Sequence, residues 1–219
     1  MIQTTITLQQ FMQALQDTLV MVLFSLVVGA IIGILLGISV VVTRPGGVLE
    51  NQWIYRVLNP VINVIRSLPF IILLVAIIPF TRLIVHTTIG TPAAIVPLIV
   101  FIAPYIGRLV ENSLLEVDAG ILEAANAMGA SPWQVIWHFL LPEALGSLIL
   151  SLTTATIGLI GATAMAGTVG GGGIGDLAIS YGYERFDTFT MIATVVILIL
   201  VVQAVQSFGN FLAAKARRI

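Results

Sequence analysis

Cysteine is absent and charge is scarce. Without a thiol the chain forms no disulfide and no thiolate metal site, although that alone assigns it to no compartment. Asp, Glu, Lys and Arg make up 9% of the 219 residues, where soluble domains carry roughly 25%, and AVILMFWYC residues reach 58%. Such a chain reads as an integral membrane protein. Its formal net charge is −1, so no nucleic acid is expected as a partner. The first residues, MIQTTITLQQFMQALQD, carry no basic segment, so no cleavable signal peptide is expected and the first apolar run should stay in the membrane. His86 and His138 are single histidines with no second ligand at metal spacing, so no metal site is expected. The glycine run Gly170–Gly175 lacks the Gly-Lys-Ser/Thr that cradles nucleotide phosphates. It reads instead as a pliable re-entrant or surface loop.

What is abundant is uncharged length. No charged side chain lies between Asp17 and Arg44, and the run 18–43 exceeds the roughly 20 residues that cross hydrocarbon. Gly29, Gly33 and Gly37 recur every fourth residue along it, either a stripe for close helix approach or glycines tolerated singly. Four further spans are expected at about 60–81, 92–110, 144–168 and 188–213. The second should begin near Pro60, with Pro69 and Pro79 kinking or ending it, and 82–91 is read as a turn. Pro97 and Pro104 leave backbone carbonyls in the third for neighbours or water to satisfy, so that span either lines a path or is a plain bundle helix. Ser147, Ser151, Thr153, Thr154, Thr156 and Thr163 are too many hydroxyls for a lipid-facing fourth span, which should lie against helices or water.

The stretch 122–144, LEAANAMGASPWQVIWHFLLPEA, within a loop at about 116–142, differs from everything around it. Glu123, Ala124, Ala125 and Met128 favour a helix, and Gly129 stands where a left-handed stop residue belongs. Ser131 precedes Pro132 and lies three before Gln134, the pattern of an N-cap, a first-turn proline and a capping box. A second short helix is expected to run through Val135, Ile136, Phe139 and Leu140 until Pro142 interrupts it. Ala124, Ala125, Gly129 and Ala130 are small enough for another protein to approach closely. The result is a knob rather than a pocket.

Orientation follows from counting. Arg44, Arg56, Arg66, Arg108, Lys215, Arg217 and Arg218 fall on one side of five spans, and Arg82 and Arg185 on the other. The positive-inside bias puts the first group in the cytoplasm, with the N-terminus outside and the 116–142 loop inside. The first, fourth and fifth spans contain no ionisable residue of the kind that binds ions or relays protons in self-powered carriers. The motor is expected on another chain.

Glu123-Ala124-Ala125, Gly129 and the closing Leu141-Pro142 resemble the cytoplasmic loop of permease subunits in type I ATP-binding-cassette importers. Nearly the whole chain resembles the permease of methionine importers, through 66–74 (RSLPFIILL), 107–142 and the glycine loop with Tyr181-Gly182-Tyr183. The resemblance implies an all-α membrane fold of five spans with a coupling helix, and Glu123, Ala124, Ala125, Met128, Gly129, Ala130, Ser131 and Pro132 as the coupling surface. It further implies two copies of the chain above two ATPase subunits that hold ATP and magnesium, none of it bound by this chain. An external binding protein or lipoprotein would deliver methionine across the bacterial inner membrane. It departs at Trp137 and His138, where relatives often carry basic residues, so a charged ATPase contact there is not implied. Met165, near the outer end of the fourth span, is a candidate gate residue or plain packing. Alternatives are an importer of another amino acid, and a channel or secondary carrier working alone.

Overall fold

The computed structural model describes residues 6–217, all of whose regular elements are helices. Arg218 and the first five residues, used in the charge and signal-peptide readings, lie outside the described residues.

Helix α1 (Leu8–Thr43) begins well before residue 18 because Thr7 caps it. The Gln10 N–H donates to Thr7 Oγ1 at 3.3 Å, and the Gln10 side chain accepts from the Thr7 N–H at 2.9 Å. Its glycine stripe faces α5 (Thr91–Leu115) and is buried there. A Cβ on Gly33 would stand 2.6 Å from Ala103 O, and one on Gly37 2.6 Å from Gly107 O. The two backbones thus approach as only glycine permits. Leu98, Ile102, Ile106 and Val110 of α5 fill the centre of the bundle without solvent exposure.

The stretch 60–81, expected as one span from Pro60, is three helices. Asn51 starts α2 (Gln52–Ser67) early, its Oδ1 accepting from the Trp53 and Ile54 N–H groups at 3.1 and 3.2 Å. Pro60 lies inside it. Pro69 then holds Leu68 in an extended conformation, and the chain turns by 104° into α3 (Phe70–Ala76). Helix α4 (Ile78–Val85) follows and contains Arg82, so the turn comes later, at a left-handed His86. In α5, Pro97 and Pro104 are both buried and the helix stays whole. They belong to the packed side of the bundle.

Helix α6 (Ala119–Ala127) leads to α7 (Pro132–Gln134), a wide π-helical turn over Val135–Leu140, and α8 (Leu141–Ala166). Pro142 does not interrupt the helix. Residues 132–166 run on as one helical rod, which ends where Val169 and Gly170 leave helical geometry. Proline removes an N–H and crowds the carbonyl four residues back. The π turn loosens the backbone at that place, with the Leu141 N–H reaching five residues back to Ile136 O. The α8 hydroxyls need partners less than their number suggests: Thr153, Thr154 and Thr156 donate to Ile149, Leu150 and Leu152 carbonyls of their own helix at 2.8, 3.0 and 2.8 Å. Ser151 hydrogen-bonds with another span, at Ser113 Oγ of α5, 2.8 Å away, and Thr153 packs against Gly209 near the C-terminal end of the chain.

Of the two forms expected for it, a re-entrant or a surface loop, the glycine run takes the first, turning back so that Gly167 and Gly175 lie against Asp176 and Ala164, and it is held rather than pliable. It reverses the chain into α9 (Gly173–Leu177), where the Ile174 N–H donates to Thr18 Oγ1 at 2.8 Å and the Gly90 N–H donates to Gly170 O at 2.7 Å. A Cβ on Gly173, at φ +85°, would strike Thr18 Oγ1 and Met21. The run is therefore clamped onto α1 and the start of α5. Asp187 caps α10 (Thr188–Ala216), accepting from the Thr190 N–H at 3.0 Å. Among the described residues, four helices are long and apolar enough to cross a membrane, and the bent α2–α3 pair brings the number to five.

Candidate functional site

At one end of the bundle lie Arg44, Arg56, Arg108, Lys215, Arg217 and the segment 116–142; this is called the basic face below. The segment is held in shape by local hydrogen bonds. Asp118 starts α6, accepting from the Gly120 N–H at 2.7 Å. Its far end is a full Schellman turn: Gly129 sits at φ +77°, its N–H donates to Asn126 O at 2.9 Å, and the Ala130 N–H donates to Ala125 O at 3.1 Å. The capping box closes next, with the Ser131 N–H donating to Gln134 Oε1 at 2.8 Å and the Gln134 N–H to Ser131 Oγ at 3.4 Å. Two helix ends thus meet across a few residues in one defined conformation.

Glu123, Ala124, Met128, Gly129 and Ser131 are exposed, and Ala130 and Pro132 partly so. Ala125 is not on the surface: at 0% exposure it packs inward, where its small side chain lets α6 approach the π turn. Its place in the expected contact surface is corrected accordingly. Met128, Gly129 and Ala130 border an open depression completed by Gln134, His138 and Phe139. Nothing lies within 4 Å of where a Gly129 side chain would begin, so the tip projects freely. Glu123 has no salt bridge among the described residues.

Two residues were missed by the motif reading. Met128, Trp133 and Trp137 are 69%, 66% and 61% exposed, and together they make the apolar crown of the projection. The signal was present: two tryptophans four apart on a helix whose inner face was already supplied by Val135, Ile136 and Leu140, all buried. Tryptophan on a protruding surface has the character of a binding anchor.

The projection is anchored to the spans through polar contacts at the membrane boundary. Arg108 of α5 donates to Glu111 Oε2 at 2.5 Å and to Asn59 and Asn63 Oδ1 of α2 at 2.7 and 2.6 Å. One guanidinium thereby joins α2 to the helix that leads into the projection. Ser147 of α8 donates to Glu116 at 3.2 Å, tying the other strut to the same corner.

Met165 lies far along α8, away from this projection, and is 51% exposed. It shares an open face with Thr154, Gly158, Gly161 and Thr168. Elsewhere the exposed surface is large and aliphatic, as with Leu23, Phe24, Val27, Ile31 and Leu35 on α1 and Ile192, Val196, Ile199 and Leu200 on α10. The two kinds of surface suit different neighbours: bulky hydrocarbon faces lipid, and small hydroxylated residues face other helices or water. His86 and His138 stay apart, and the described residues contain no group of side chains able to hold a metal. The arrangement is one of recognition and leverage.

A profile of the family described as binding-protein-dependent transport system inner membrane component matches residues 29–218. The probable D-methionine transport system permease protein MetI of Vibrio cholerae is 51% identical over 196 residues, covering 90% of this chain and 87% of its own. The D-methionine transport system permease protein MetI of Escherichia coli K12 is 50% identical over 151 residues, 69% of this chain and 70% of that protein. Among solved structures, a chain of the MetNI methionine ABC transporter in an inward-facing conformation superposes with a TM-score of 0.94 at 42% identity, covering 98% of this chain and 99% of that one.

Proposed function

The chain belongs to the family of binding-protein-dependent transport system inner membrane components, and from that membership we propose that it is the membrane-spanning subunit of an ATP-driven methionine importer. It is a multi-pass inner-membrane permease, and the ATPase is a separate subunit. The observation that carries the reading is the rigid projection at Met128–Pro132, exposed at the end of an otherwise apolar bundle that matches the methionine-transporter chain over nearly its whole length.

The finer parts follow from the surfaces. The basic face is cytoplasmic and the N-terminus outside, because the arginines and lysines gather with the projection at one end. Two ATPase subunits carrying ATP and magnesium take the projections of two copies of this chain. Glu123, Ala124, Met128, Gly129, Ala130, Ser131 and Pro132 make that contact, with Trp133 and Trp137 as its apolar anchors. The second copy meets the open face of α8, whose small hydroxylated residues suit a helix or a wet passage. Met165 stands on that face toward the outer end, where an external binding protein would release its methionine. ATP-driven closure of the ATPase pair draws the two projections together, and the rod 132–166 carries the movement across the membrane.

The test is co-purification and reconstitution. The solubilised permease should hold its ATPase, and liposomes containing both, with binding protein outside and ATP inside, should accumulate methionine. Methionine flux through the permease alone without ATP would point to an autonomous carrier. Uptake of a different amino acid under the same conditions would retain the importer and reassign its cargo.

A further inference from the structure

On the half of the bundle away from the basic face, α1 and α10 both pack on α8 and leave a slot between them. Its deeper part is a cavity of about 160 Å³ bounded by Leu19, Val22, Leu23, Ile160, Leu198 and Val201. Its outer part, about 300 Å³, lies between Leu8 and Phe11 of α1 and Phe189 and Ala193 of α10. The threonines that reach the slot are already satisfied: Thr7 donates to Gln10 Oε1, Thr18 accepts from the Ile174 N–H, Thr156 donates to Leu152 O, and Thr190 donates to Asp187. What remains on the walls is hydrocarbon. From Phe189, which lines the outer cavity, to Val205, which lines the deeper one, the two cavities are strung along ~24 Å of α10 at helical rise, more than the ~15 Å that one leaflet contributes to a ~30 Å hydrocarbon layer.

A cation waits at the outer mouth. Phe11, Leu15, Tyr181 and Ile197 pack around the buried cluster of Ala14, Ile174 and Leu177, with Phe11 lining the outer cavity and Leu15 and Ile197 the deeper one. The Arg185 guanidinium lies 4.2 Å over the Tyr181 ring, is exposed, and makes no salt bridge among the described residues. A planar guanidinium held by a ring presents its N–H groups outward, the arrangement that grips a phosphate. An apolar cavity open to the bilayer draws in chain carbon, because unfilled walls forfeit dispersion contacts.

We propose that this slot is a phospholipid site: one acyl chain lies between α1 and α10, and its phosphodiester is held by Arg185. A transmembrane helix of ~10–12 Å diameter would not enter the deeper cavity, whereas a hydrocarbon chain would. In the proposed orientation the lipid belongs to the outer leaflet. Held there, it would brace α1 and α10 beside the clamp of Ile174 on Thr18.

The test is native mass spectrometry of the delipidated permease–ATPase complex titrated with dioleoyl phosphatidylglycerol, dioleoylglycerol, or glycerol phosphate. Phosphatidylglycerol should be retained about fivefold better than dioleoylglycerol, the effect of one basic residue at a lipid surface, and glycerol phosphate not at all. Arg185→Gln should lower phosphatidylglycerol to the dioleoylglycerol level. Val201→Trp, which fills the slot, and Leu23→Trp at its lip should each reduce both lipids; an unchanged melting temperature identifies whichever variant remains folded. Equal retention of the two lipids, indifference to Arg185→Gln, or indifference to both slot-filling variants would overturn the proposal. So would spontaneous disulfide dimers of Leu23→Cys, which would place a second copy of the chain in the slot.

Discussion

Replacing Gly33 by Ala adds a single methyl group where α1 and α5 approach backbone to backbone. The new carbon would stand 2.6 Å from Ala103 O and 2.7 Å from Ile106 Cβ, both on α5. Ordinary contact begins at 3.4 Å, so α1 and α5 must part by roughly 0.7–0.8 Å to receive it. Ala103 O belongs to helix backbone and cannot swing aside. Separation by ~0.5–1 Å forfeits a quarter to a half of each dispersion contact it opens, and overpacked cores lose ~1–3 kcal/mol. The neighbouring Ile32, 41% exposed on the bilayer side, supplies the control. Ile32→Ala should change stability by no more than ~0.5 kcal/mol. The assay is thermal unfolding of the purified permease in one detergent, with Gly29→Ala and Gly37→Ala as replicates of the effect. If Gly33→Ala melts with wild type, or if Ile32→Ala is the more damaging change, the helix–helix contact described here does not govern stability.

Gly129→Val places a β-branched residue at φ +77°, which strains the tip although it meets no neighbour, so stability should fall by only about 1–2 kcal/mol while ATP-driven uptake falls at least ~10-fold through a misshapen tip; normal uptake by an assembled complex would remove Gly129 from the coupling surface. Trp133→Ala and Trp137→Ala leave the bundle untouched, and each should weaken ATPase binding by ~2 kcal/mol in a dissociation assay. Unaltered affinity in both would show that the apolar crown is not an anchor. Arg108→Ala strands Glu111, Asn59 and Asn63 and should cost about 3 kcal/mol, with part recovered in Arg108→Met combined with Glu111→Gln. Melting curves for the single and double variants decide this, and equal losses would show that the ion pair is not a coupled unit.

Local chemistry was written in the chain. The Schellman turn at Gly129 and the capping box of Ser131 with Gln134 depend on hydrogen bonds between residues a few positions apart, so their spelling is enough to find them. Hydrophobic length likewise marked the four long helices, because each must satisfy its backbone internally whatever surrounds it, but not the bent α2–α3 pair. Long-range packing settled the rest. Whether Gly33 is a tolerated gap or a contact depends on α5, some seventy residues away, and the burial of Ala125 depends on the π turn behind it. Pro142 passes through an intact rod because that turn makes room, whereas Pro69 turns the chain by 104°. The glycine run is a clamp because Thr18 of α1 stands over it. A residue's own chemistry limits what it can do, and the three-dimensional neighbour decides which of those possibilities is used.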